Sequence, residues 1–174
     1  MAGTPGNRAQ RSEAGAVLGA LLLLAAMVAP RAQARPASGP PMLLPVTARW
    51  CLGEAATAPC IGLEVPANER EFSWGLQLRP RLPELRGMWF RFEPAQVARF
   101  WMHRTPEPLD MVFVRNGRVI AIEAAIPCMR LPCRSYGPDE PVDGVVELAA
   151  GETARLGIRV GEAALIRPLT APER

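Results

Sequence analysis

Residues 101–110 hold the densest set of groups that can do chemistry. Trp101, His103, Arg104 and Thr105 come almost in a row, and Asp110 follows a turn carrying Pro106 and Pro108. An aromatic plate beside a guanidinium, a hydroxyl and a carboxylate suits a small polar ligand such as a sugar or a carboxylate. Strand alternation sorts these side chains. If Phe100 and Met102 enter the core, Trp101 and His103 point the other way. Asp110 is expected to pair with Arg79 or Arg104. The expected ligand-binding set is therefore Arg79, Trp101, His103, Arg104, Thr105 and Asp110, with Trp101, Thr105, Asp110 and Arg79 coming together at one rim of the sheet. A purely structural arrangement is equally physical: Trp101 covers a barrel end and Asp110 ties the turn to backbone N–H groups.

Catalytic constellations are weaker. His103 is the only His in the chain. A hydroxyl nucleophile would have to be Ser73 or Ser135, and neither sits in a nucleophile-elbow sequence. A His-based metal site lacks further His ligands. Glu64, Glu123 and Glu147 lie in apolar strand-like runs and face either a cleft or solvent. Two carboxyls ~5–9.5 Å apart would suit acid–base work. No catalytic residue is assigned on these grounds, and neither a cofactor nor a metal is expected.

The four Cys are Cys51, Cys60, Cys128 and Cys133. An even count in an exported chain reads as disulfides. Cys51–Cys60 and Cys128–Cys133 are the expected pairs, because each closes a short loop rich in turn formers. Such loops contribute roughly 2–3 kcal/mol each in the chain-entropy model. The rival is a zinc site using all four thiolates, but close Cys-x-x-Cys knuckles are missing.

Export is read from residues 1–34. Arg8 and Arg11 form a basic start, Ala14 to Ala29 is apolar, and Ala32-Gln33-Ala34 is a small-x-small cleavage site. The apolar run falls short of the ~20 residues a spanning helix needs. An uncleaved anchor is the alternative. Removing Arg8, Arg11, Arg31 and Glu13 takes the formal charge from +3 to +1. That small excess does not indicate a nucleic-acid partner. All twenty basic residues are Arg. Since Ala, Pro and Gly are also abundant, a coding bias explains this better than phosphate binding. The expected location is periplasmic or secreted, with no membrane span after cleavage.

These groups need elements to position them. Residues 35–48 are Pro-rich and read as a linker, followed by one β-rich domain over 49–169 and a tail over 170–174. Strands are expected over 61–65, 88–92, 100–102, 110–114, 119–125, 145–148 and 158–166. Asn68 with Glu71 resembles a capping box for a helix from Glu69 to about Leu78. Asn116-Gly117 between two apolar runs signals a hairpin. A helical turn is expected over 151–157. The fold class is mainly β, a β-sandwich or partly open barrel with one short helix and a further helical turn.

Several blocks carry a resemblance: Gly75-Leu76-Gln77-Leu78-Arg79, Gly87-Met88-Trp89-Phe90, Phe100 to Thr105, Pro108-Leu109-Asp110, Pro127-Cys128 to Cys133, and Gly157-Ile158-Arg159-Val160-Gly161. In order and spacing they resemble the domain of unknown function 192 family over about 61–166. The resemblance implies a compact β-sandwich, often exported, without established activity, cofactor or catalytic residues. Three positions depart from the family pattern. His103-Arg104 stands where relatives usually have Lys-Asn, and Glu162 where Asp is frequent.

The expected function is a non-catalytic module binding a small polar ligand or an envelope partner. The alternatives are an envelope-associated hydrolase using Asp110 with Glu123 or His103, and an accessory domain without ligand.

Overall fold

The first strand, β1 (Val46–Cys51), begins inside the stretch read as a linker. Val46, Ala48 and Trp50 alternate into the core. That period-2 burial outweighs the prolines before it. The computed structural model describes residues 40–173, all within one compact unit. The leader expected over 1–34 lies outside the described residues.

The chain continues through β2 (Cys60–Glu64), α1 (Glu69–Trp74), β3 (Arg86–Val97), β4 (Phe100–Trp101), β5 (Leu109–Arg115), β6 (Arg118–Ala125), β7 (Ser135–Tyr136), β8 (Pro141–Ala149), α2 (Glu152–Leu156) and β9 (Ile166–Glu173). Seven strands form one mixed sheet in the order β6-β5-β8-β3-β2-β1-β9, while β4 and β7 form a small second sheet. The β2–β3 pair is parallel. The large sheet curls toward a barrel without closing. Arg118 at the start of β6 bridges Ala163, just before β9, and Ala164 N–H donates to Gly117 O at 2.8 Å.

The curl creates two cores. Trp50, Ile61, Leu63, Val112, Val146 and Leu148 pack on the inner face. Met88, Phe90, Met111, Phe113 and Val145 occupy the outer face, covered by Leu76, Met102 and Tyr136 from connecting segments. Met88 and Phe90 alternate with Trp89 as the sequence pattern requires.

Local signals explain several elements. Asn68 accepts from Glu71 N–H at 3.0 Å, and the Glu71 carboxylate accepts from Ala67 N–H at 2.7 Å. This helix start is close to a capping box, shifted by one residue. Asn116 and Gly117 both take positive φ, 49° and 67°, as a type I′ hairpin turn needs. Both expected disulfides, Cys51–Cys60 and Cys128–Cys133, are formed.

Three expectations move. The α1 helix stops at Trp74 rather than near Leu78, because Gly75 leaves helical geometry at φ 52°. The run 158–165 is turn and irregular chain rather than strand, and only Ile166 of the expected strand joins β9. Gly157 and Gly161, at φ 71° and 93°, bend it, while Ile158 is buried as a plug in the inner core. The strand forms later, and β9 runs through the stretch expected as a tail.

Candidate functional site

Glu147 sits near the middle of β8, a central strand. Its register partners are Met88 on β3 and Met111 on β5. Residues directly opposite one another share a face, so the carboxyl projects from the outer face between two fully buried thioethers. A cavity of about 180 Å³ lies over this position. One wall is the end of α1 with the turn after it, including Phe72, Trp74 and Gln77. The other comprises Phe100, Trp101, His103 and Thr105.

The walls are held by backbone contacts. Gly75 is required in the α1 turn: its φ is 52°, and a Cβ there would lie 3.2 Å from Phe90 Cζ. Leu78 N–H donates to Arg104 O at 2.8 Å, Arg104 N–H to Cys128 O at 2.9 Å, and Cys128 N–H to Met102 O at 3.2 Å. The Cys128–Cys133 loop thereby anchors residues 102–104. Tyr136 Oη accepts from Ile126 N–H at 3.1 Å beneath it.

Arg104 takes φ 61°, and its guanidinium lies 5.6 Å over the Trp74 ring. A left-handed backbone is tolerated best by Asn among non-glycine residues.

Glu147 has no hydrogen bond or ion pair with any described residue. Burial alone pushes its carboxyl up to about 8, since an isolated charge is costly away from water. The other two strand glutamates differ. Glu64 receives both arms of Arg79, at 2.6 and 3.0 Å, and Leu44 N–H at 3.0 Å. Glu123 accepts from Gly137 N–H at 2.8 Å, with Arg134 3.8 Å away.

The expected ligand set therefore divides. Trp101, His103 and Thr105 line the cavity. Trp101 is 52% exposed, with its ring 5.2 Å from that of His103. Arg104 stands behind the wall at Trp74. Arg79 is elsewhere, buried against Glu64 rather than paired with Asp110. Asp110 is also elsewhere: it neighbours Met111, so alternation turns it to the inner face. Its Oδ2 accepts from Gly151 N–H at 3.1 Å, Thr153 N–H at 2.9 Å and Thr153 Oγ1 at 2.6 Å. Asp110 thus caps α2 from a distance, because Gly151 at the N-cap has no side chain to do so.

Sequence reasoning grouped Glu147 with two other strand glutamates and did not single it out. The available signal was a lone charge inside Val145-Val146-Glu147-Leu148, a run apolar enough to be buried on both faces. Phe72, Trp74 and Gln77 were missed as wall residues, because α1 joins the site only through tertiary packing.

Curled sheet and outer-face cavity together define a small, mostly β domain whose Glu147 carboxyl, under an aromatic wall, has no partner among the described residues. The chain belongs to the DUF192 family, described as uncharacterized ACR, whose model matches residues 53–166. Two solved structures are similar. A protein of unknown function from Novosphingobium aromaticivorans DSM 12444 is 30% identical, with a TM-score of 0.60 over 78% of this chain and 94% of that one. A protein from Sinorhizobium meliloti 1021, whose description proposes a transcription regulator, is 25% identical, with a TM-score of 0.62 over 73% and 97%. No curated protein matches the chain.

Proposed function

We propose that this chain is an exported, non-catalytic β-domain that binds a small polar ligand in the cavity between α1 and residues 100–105. The observation carrying this reading is Glu147: a residue 5% exposed on the cavity floor, with no partner among the described residues, beside a half-exposed Trp101. The carboxyl oxygens are not sealed from the cavity, so a ligand bound there can reach them. An open aromatic plate next to it adds contact area at little conformational cost.

Two disulfides suit an oxidising compartment, which fits the leader expected over 1–34. N-terminal sequencing of the protein from its native host should begin at or near Arg35. Recovery of an intact N-terminus in a membrane fraction would replace export by anchoring.

The hydrolase alternative needs a second converging carboxyl. Glu123 shares the face of Glu147 but lies two strands away, with Met111 between them. That spacing is about 10 Å between backbones, and Glu123 already has its own partners. Asp110 is on the opposite face. A single carboxyl favours binding over acid–base catalysis.

The test is a thermal-shift and tryptophan-fluorescence screen with sugars, polyols, small carboxylates and amines. A binder should raise the melting temperature, and Trp101→Ala should lose that rise while melting near the parent. A silent screen, or a variant that melts far below the parent, would leave the accessory-domain reading ahead.

A further inference from the structure

The geometry points to a small organic ammonium ion as the class of ligand this cavity takes. The inference rests on the cavity reading above and narrows it.

The walls argue first. Phe72, Phe90, Phe100 and Trp101 all border the space, and Phe90 is met edge-on by Phe72 at 5.1 Å and by Phe100 at 4.9 Å. Aromatic faces attract cations, most strongly where water is excluded. Another aromatic residue of the wall, Trp74, already receives a cation, the Arg104 guanidinium 5.6 Å from its ring centroid.

The floor argues second. In the empty cavity burial keeps the Glu147 carboxyl protonated near neutral pH, and no described residue offers it a positive charge. A bound ammonium would favour release of that proton to solvent, because opposite charges attract strongly in a poorly solvated site. The nearby protein cation on the wall is engaged elsewhere: Arg99 donates to the carbonyls of Gly137 and Pro138 and to Asp139.

Two of the polar wall groups are already engaged: Ser73 Oγ donates to Arg70 O at 3.2 Å, and Gln77 Nε2 donates to Ser73 O at 3.0 Å. The volume corresponds to about six waters, enough for a compact head group.

Calorimetric titration of the mature chain with choline, its neutral isostere 3,3-dimethylbutan-1-ol, and xylitol tests this. Choline should bind roughly tenfold or more tighter than the isostere. Glu147→Gln, isosteric with the protonated acid, should bring choline binding down to the level of the isostere measured with the same variant. Trp101→Ala, at an exposed position, should weaken choline without loss of fold. Equal binding of choline and isostere, or retention of the preference in Glu147→Gln, overturns the ammonium assignment. Binding of xylitol with none of choline overturns it while leaving the small-polar-ligand function standing. Binding of none of the three, with a silent wider screen, ends both.

Discussion

Glu64 and Glu147 are each 5% exposed, and each lies on a strand of the same sheet. Burial does not distinguish them; their neighbours do. Glu64 is enclosed by the Arg79 fork and the Leu44 N–H. Glu147 faces two methionines and an aromatic-walled space. A satisfied buried carboxyl locks segments together, whereas an unsatisfied one is available to something that arrives later. Asp110, with three hydrogen bonds to the start of α2, belongs with Glu64. The framework and the site of this protein thus use the same chemical group and differ in partner supply.

The sharpest way to break this comparison is to remove one partner of the Glu64 pair. Arg79→Met leaves a charge buried without its counterion and should cost ~3–5 kcal/mol in urea unfolding. Glu147→Gln should show no comparable loss. Similar behaviour of the two variants would erase the distinction.

Asp110→Ala should cost about 1–3 kcal/mol, through lost capping of α2 and an unsatisfied Thr153. Faster amide exchange at Gly151 and Thr153, with little change elsewhere, would locate the effect.

Glu147 makes stability depend on pH with a defined sign. Its carboxyl titrates near 8 in the fold, against an ordinary value of 4.5. Between these values the folded state holds a proton that the unfolded chain has released. Stability therefore falls as pH rises through this window, by about 1.4 kcal/mol per pH unit at most. Denaturation series at several pH values should show that slope, and Glu147→Gln should flatten it. A parent and variant with the same slope would mean that Glu147 is better solvated than its surroundings indicate.

The smallest effect is expected at Trp101. Trp101→Ala should change unfolding free energy by only about 0.5–1 kcal/mol, since half of the side chain already faces water. A loss of ~3–5 kcal/mol, typical of a core aromatic, would make Trp101 part of the framework.

Much of this protein was legible wherever the determinant is local. Asn116-Gly117 specifies a turn from two adjacent residues. Asn68 and Glu71 begin a helix within one turn. The Met88–Phe92 alternation names its own inner and outer faces, and each disulfide joins cysteines fewer than ten residues apart in sequence. Val46–Cys51 was less legible, because the prolines before it mask an alternation that only pairing with β2 and β9 makes decisive.

Tertiary structure decided the rest. Arg79 stands fifteen residues from Glu64, and Asp110 stands forty-three from Thr153. No local pattern states which carboxylate a given Arg will meet. Asp110 and Met111 are neighbours in sequence but opposite in direction, so one residue of strand register separates an α2 cap from the cavity face. The isolation of Glu147 likewise depends on Met88 and Met111 arriving from strands β3 and β5. Periodicity shows that a side chain will be buried, but only the packing of distant segments determines whether a partner is there to receive it.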